Sequence, residues 1–120
     1  MRTVRVQNGR SGALLGRKVQ LADGWWRGDE GLLGLPDLPK GSGILLAPCA
    51  SVHTLGRIEP IDVAFLDGRG RIVRTWTDLP PGKFAVGGQG VHATLQLPVG
   101  TLNETDTKTG DVLILEEMVR

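Results

Sequence analysis

A chain of 120 residues is long enough for one hydrophobic core and too short for two ordinary domains, so residues 1–120 are predicted to form a single domain. The formal net charge of +1 excludes strong nonspecific attraction to nucleic acid or to an anionic membrane surface. The single cysteine, Cys49, excludes an internal disulfide and a four-thiolate zinc site, and it suits a reducing cytosol.

Neither export nor membrane insertion is indicated by the apolar segments. Residues 1–16 lack the apolar stretch of about 7–15 residues that a secretory signal requires. No uninterrupted apolar run approaches the roughly 18 residues of a spanning helix. We therefore expect a soluble, cytoplasmic protein with no membrane or nucleic-acid partner.

The charges are distributed unevenly along the chain. Five basic residues and no acidic residue occupy the first twenty positions, whereas acidic residues are concentrated after residue 103. We interpret the basic segment as a solvated N-terminal hairpin in preference to a ligand-binding patch.

Frequent glycine and proline, 18 and 7 residues, favour short strands joined by turns over long helices. The predicted class is mostly β (α+β), a compact antiparallel β-barrel-like or β-roll domain with one or two short helices. A hairpin is expected over residues 3–21, because Val4 and Val6 alternate with polar residues ahead of the turn-forming pair Asn8-Gly9.

A helix and a strand are predicted for the next two segments. Residues 23–34 have the pattern of a short helix with Asp23 as N-cap, although its glycines weaken it. A short strand is expected over residues 43–47, where Pro48 interrupts it.

A second hairpin is the clearest local pattern in the sequence. Residues 61–66 and 71–76 are rich in β-formers, and Asp67-Gly68 between them supports a tight reversal. Ile61, Val63 and Phe65 alternate with Asp62 and Ala64, so an outward-facing Asp62 is one of two interpretations of this residue.

Further strands are expected over residues 84–86, 92–99 and 112–115. Thr101 and Glu104 have the spacing of a capping box, so one helical turn is predicted there. The glycine-rich residues 87–90 are expected to form a mobile loop, because no Lys-Ser or Lys-Thr pair and no helix signal follow as in a phosphate-binding loop.

Two motifs in succession indicate a family. Pro48-Cys-Ala-Ser-Val-His-Thr54 is followed by Pro60-Ile-Asp-Val-Ala-Phe-Leu-Asp67. With the flanking segments of residues 22–116, they resemble the domain-of-unknown-function 192 family, in a subgroup with a Pro-Cys-x-Ser-Val-His-Thr motif. The resemblance implies a mostly antiparallel β domain with minor helices and no established activity.

This chain departs from the family pattern at three positions. Leu35, Gly56 and Gln96 stand where the family often has arginine, methionine and glutamate. If those residues form a site in the family, the resemblance implies that this chain has lost part of it.

Cys49 and His53 are the residues best suited to nucleophilic chemistry, since an imidazole can activate a thiolate. Four residues apart, they would be neighbours on a helix but about 13 Å apart along a strand, and Pro48 favours the extended form. The alternative is a small buried cysteine and a histidine that holds the loop. A zinc site would need a third ligand, and no metal or cofactor is predicted.

Asp62 and Asp67 could act as general acid and base if one cleft contained both. The alternative is structural, with Asp67 opening the hairpin turn and Asp62 pairing with Arg57.

These observations favour a non-catalytic ligand-binding or accessory protein whose polar pocket is formed by the segment from Cys49 to Asp62. The predicted binding residues are Ser51, His53, Arg57 and Asp62, and the partner is an unknown small ligand or protein. A hydrolase-like enzyme using Cys49 and His53, or the two aspartates, is the first alternative. A structural subunit that pairs through an exposed edge strand is the second. A monomer or weak homodimer is expected.

Overall fold

A computed structural model gives the fold of residues 2–23 and 38–118, and these residues form nine strands and one helical turn. This confirms the predicted mostly β class with a short helix. In chain order the elements are β1 (Arg2–Asn8), β2 (Leu14–Asp23), β3 (Ser42–Ala47), β4 (Ser51–His53), β5 (Ile61–Leu66), β6 (Ile72–Leu79), β7 (Phe84–Val86), β8 (Ala93–Pro98), α1 (Thr101–Glu104) and β9 (Leu113–Glu117).

Seven strands form one curled sheet in the order β6-β5-β8-β3-β2-β1-β9, and β4 pairs with β7 in a separate two-stranded sheet. The sheet curls so that its two edge strands, β6 and β9, approach each other. Arg71, just before β6, and Val112, just before β9, form an isolated antiparallel bridge. The Ile72 amide donates to the Asp111 carbonyl at 2.8 Å beside this bridge. The result is a half-barrel, in agreement with the barrel-like prediction.

Both predicted hairpins are present. β1 and β2 are antiparallel neighbours, as are β5 and β6. In the second turn, the Asp67 carboxylate accepts hydrogen bonds from the amides of Arg69 at 2.8 Å and Arg71 at 3.0 Å. These two amides lower the pKa of the Asp67 carboxyl below its ordinary value. Asp67 is therefore a turn residue.

One strand pair corrects the antiparallel expectation. β2 and β3 are parallel, with Val19 opposite Gly43 and Leu21 opposite Leu45. A parallel pair requires a crossover connection between its strands, and local turn signals do not reveal that arrangement.

The core has two parts, one on each face of the curled sheet. Ala64 and Leu66 of β5 belong to the cluster inside the half-barrel, whereas Val63 and Phe65 belong to the cluster on the outer face. The two-stranded β4-β7 sheet covers that outer cluster with Val52 and other apolar residues. All six residues of β5 are consequently buried, so the interpretation of Asp62 as an outward-facing strand residue is wrong.

The predicted helical turn at residues 101–104 is present, but its cap differs from the expected capping box. Gly100 is the N-cap with φ +93°, so the N-cap residue makes no side-chain hydrogen bond to the helix. The Thr101 hydroxyl instead donates to the Pro98 carbonyl at 2.7 Å. A positive φ at the N-cap favours glycine, which explains why Thr101 is displaced into the helix.

Most of the other predicted helix, at residues 23–34, lies outside the described residues. Asp23 is the last residue of β2, and residues 24–34 lie outside the described residues. In the part of the chain that the structure describes, no helix has the length and apolar character needed to cross a membrane.

The uneven charge distribution is explained by the pairing of β1 with β9. This pairing places the basic start of the chain beside its acidic end. The Arg2 guanidinium lies 3.5 Å from the Glu117 carboxylate, and the Arg10 guanidinium lies 2.7 Å from that of Asp111. Two of the five early basic side chains, Arg2 and Arg10, therefore lie near acidic residues that are distant in sequence.

Candidate functional site

Four predicted site residues surround one groove of about 240 Å³ on the outer face of the sheet. They are Cys49, Ser51, His53 and Arg57. The remaining lining residues are Leu46, Val52, Leu55 and Gln96. The groove therefore combines polar groups with three aliphatic side chains.

Strand β4 provides much of this lining because its residues alternate between two faces. Val52 is buried against the outer core, whereas Ser51 and His53 on either side of it are exposed. The segment is fixed before β4 by the Cys49 amide, which donates to the His92 carbonyl at 2.9 Å. The orientation of the polar side chains thus follows from burial of Val52.

Thr54 anchors the other end of β4 and was not singled out by the sequence. Its side chain is fully buried, and its hydroxyl donates to the Pro80 carbonyl at 2.6 Å. The same hydroxyl accepts a hydrogen bond from the Lys83 amide at 2.8 Å. Thr54 is the last residue of the Pro-Cys-x-Ser-Val-His-Thr motif, and this position was the sequence feature that could have indicated its role.

Gly87 joins β7 to this segment by close packing. Its amide donates to the Ala50 carbonyl at 2.8 Å. A Cβ atom at this position would lie 2.6 Å from the Phe65 ring, so only glycine fits without rearrangement. The start of the glycine-rich segment is therefore a packed connection.

Cys49 and His53 line the same groove without forming a dyad. The Cys49 thiol donates to the Ser51 carbonyl at 3.0 Å. The His53 ring packs beside Phe84, with 6.0 Å between the ring centroids. Among residues 2–23 and 38–118, no cluster of three or more histidine, cysteine or acidic residues is arranged to hold a metal ion.

Arg57 is oriented by a buried amide. Its Nη2 atom donates to Oε1 of Gln96 at 2.9 Å, and Gln96 is only 3% exposed in the middle of β8. Gln96 was noted in the sequence as a departure from the family pattern, but it was not predicted as a site residue. Its amide is neutral, so this hydrogen bond does not neutralise the charge of Arg57.

Asp62 lies away from the groove lining and bonds to backbone instead. It is 1% exposed, and its two carboxylate oxygens accept from the Asp78 amide at 3.0 Å and the Leu102 amide at 2.9 Å. Asp67 lies at the other end of β5, about 16 Å away along a strand with a rise of roughly 3.3 Å per residue. The two aspartates do not share a cleft.

Two solved structures have the same fold as this chain. A proposed transcription regulator from Sinorhizobium meliloti 1021 is similar with a TM-score of 0.77 and 21% identity, over 95% of this chain and 92% of that chain. A protein of unknown function from Novosphingobium aromaticivorans DSM 12444 is similar with a TM-score of 0.75 and 21% identity, over 93% and 83% of the respective chains.

Comparison with the curated proteins gave no significant match. The family model DUF192, described as uncharacterized ACR, matches residues 6–115. This match begins earlier than the motif-based resemblance, and it includes most of the N-terminal hairpin. The chain therefore belongs to the DUF192 family of unknown function.

Proposed function

We propose that this protein is a cytoplasmic, non-catalytic binding domain that holds a small dicarboxylate in the groove between β4 and β8. It acts as a monomer or weak homodimer, without nucleic acid or membrane. Within DUF192 we assign it to a subgroup that has the Pro-Cys-x-Ser-Val-His-Thr motif at residues 48–54. The observation that carries the proposal is the convergence of Ser51, His53 and Arg57 on one groove.

The size of the groove limits its ligand. A volume of about 240 Å³ lies below the roughly 300–1,000 Å³ that is usual for sites of drug-sized molecules. A compact metabolite fits this space better than a cofactor or a peptide of several residues.

The chemistry of the groove favours an anion with two acidic groups. The Arg57 guanidinium suits a carboxylate because its N–H groups can donate in parallel. Ser51 and His53 are exposed on the neighbouring strand and can donate to a second carboxylate. The neutral Gln96 amide orients Arg57 toward the groove.

The contacts of the nucleophile and acid candidates support binding over hydrolysis. The Cys49 thiol is directed to a carbonyl oxygen, and no described side chain hydrogen-bonds to the His53 ring as an orienting acid would. The Asp62 carboxylate is held by backbone amides of β6 and α1, and the Asp67 carboxylate by backbone amides of its own turn. The groove therefore has donors for a ligand but no assembled catalytic group.

The test is a calorimetric and NMR titration with succinate, using succinamide as the uncharged analogue. We expect saturable shifts of the backbone amides of residues 49–57 with succinate and much weaker ones with succinamide. Arg57→Gln should weaken succinate binding by roughly tenfold or more, because it removes a charge-assisted bond. Gln96→Glu should weaken it roughly three- to tenfold by adding an opposing charge beside Arg57.

Arg17→Gln is the matched control. Arg17 is an exposed residue of β2 that does not line the groove, and its substitution removes the same charge as Arg57→Gln. Its affinity for succinate should equal that of the wild type. Absence of succinate binding, equal binding of succinamide, or equal loss in the control would contradict the proposal. Unchanged amide spectra outside the groove confirm that each variant folds.

A further inference from the structure

A second cavity, of about 450 Å³, lies inside the half-barrel. It is on the opposite face of β3 from the groove, since Leu45 lines the cavity and Leu46 lines the groove. Five leucine side chains line it: Leu21, Leu45, Leu66, Leu113 and Leu115. Leu115 is 38% exposed, so the apolar surface continues to the mouth of the cavity.

The cavity opens where the half-barrel is left unclosed. Among the described residues, β6 and β9 are joined only at the bridge between Arg71 and Val112. Beyond that bridge, β9 is paired with β1 alone. Leu115 lies in this part of β9, at the edge of the inner face of the sheet.

The mouth of the cavity has an arginine and a histidine that are exposed to solvent. Arg69 belongs to the β5-β6 turn and His92 immediately precedes β8, and both side chains are exposed. The Asp67 carboxylate is also at the mouth, but one of its oxygens is held by the amides of Arg69 and Arg71. Arg69 and His92 are thus placed to meet an anion that arrives from solvent.

We propose that this cavity binds a medium-chain fatty acid, with its alkyl chain against the leucines and its carboxylate beside Arg69 and His92. A cavity of about 450 Å³ is within the roughly 300–1,000 Å³ of ordinary ligand sites. Apolar surface inside the cavity favours the alkyl chain, and the Arg69 guanidinium at the mouth favours an anionic end group. A polar ligand would gain no hydrophobic stabilisation from contact with these leucines.

Octanoate is the probe, with octanamide as its uncharged analogue and acetate as the anion without a chain. In leucine-methyl NMR, octanoate should produce saturable shifts at Leu45, Leu66 and Leu113. Octanamide should bind several-fold more weakly, and acetate should leave the leucine methyls unshifted. Arg69→Gln should weaken octanoate binding by roughly three- to tenfold through loss of one ion pair.

Leu115→Glu should remove octanoate binding, because it places a carboxylate at the apolar entrance. Ile114→Glu is its matched control, since Ile114 is the neighbouring exposed residue on the opposite face of β9 and does not line the cavity. Unshifted leucine methyls in octanoate, equal binding of octanamide, or equal loss in the two glutamate variants would overturn the proposal. Because this cavity and the groove are on different faces of β3, either proposal can fail without the other.

Discussion

Replacing Asp111 with alanine is expected to lower the free energy of unfolding by roughly 2–4 kcal/mol, because it removes a buried acceptor of several hydrogen bonds. The Asp111 side chain is 6% exposed. Its carboxylate accepts from Arg10 at 2.7 Å, from the buried Asn8 amide at 3.0 Å and from the Lys108 amide at 3.0 Å. Without it, the Asn8 amide group loses one of its acceptors inside the protein.

Urea unfolding at neutral pH measures this effect, and Asp106→Asn is the matched control. Asp106 also lies near Arg10, at 3.6 Å, but its side chain is 75% exposed. Exposed ion pairs contribute about 0–1 kcal/mol, so the control should change stability little. Equal destabilisation by the two substitutions would show that burial of Asp111 is not the cause.

The contribution of Asp111 should also depend on pH. The hydrogen bond from Arg10, followed by that from Asn8, lowers the pKa of the Asp111 carboxyl far below its ordinary value. A carboxyl whose pKa is lowered on folding stabilises the folded state fully above its unfolded pKa of about 3.9. The difference between wild type and Asp111→Ala should be constant above about pH 5 and shrink as the pH falls below about 4.

Replacing Asp62 with alanine is expected to destabilise the protein by a similar amount, roughly 2–4 kcal/mol, since two backbone amides lose their acceptor. One of them, the Leu102 amide, is in a buried hydrogen bond that holds α1 against β5. The other belongs to Asp78, whose φ of +57° needs local support. Succinate affinity should remain unchanged in the part of this variant that stays folded.

Asp78→Asn is the control for this substitution, because the side chain of Asp78 is exposed and asparagine also accepts a positive φ. It keeps the backbone amide that bonds to Asp62, so its stability should match the wild type. Native stability of Asp62→Ala combined with loss of succinate binding would contradict the structural role and return Asp62 to the binding site.

Local patterns were sufficient to predict the hairpins and most strands. Asn8-Gly9 and Asp67-Gly68 mark the reversals in the sequence, so β1-β2 and β5-β6 follow from nearby residues alone. The glycines that have a positive φ in these two turns are Gly12 and Gly70. The orientation of Asp62 could not be predicted in this way. Alternation assumes one buried face, whereas β5 is buried on both faces by elements from elsewhere in the chain.

Contacts between distant segments could not be predicted either, because local sequence patterns do not show which distant segments pack together. The pairing of β1 with β9 joins Arg10 to Asp111 across about a hundred residues, and it turns an apparent charge imbalance into ion pairs. The parallel pairing of β2 with β3 likewise depends on a crossover that no turn signal specifies.

The candidate site was predictable in part. Cys49, Ser51, His53 and Arg57 are close in sequence, and a short extended segment brings them to one surface. Gln96 comes from another strand, so only the three-dimensional pairing of β8 with β3 places it beside Arg57.

Protection of Cys49 from alkylation by bound succinate would test the proposed binding site most directly, because the thiol lines the groove and can be labelled in the folded protein. The rate of iodoacetamide labelling at fixed pH should fall as succinate approaches saturation in the wild type and should not change in Arg57→Gln. Equal labelling rates with and without saturating succinate in the wild type would contradict binding in this groove.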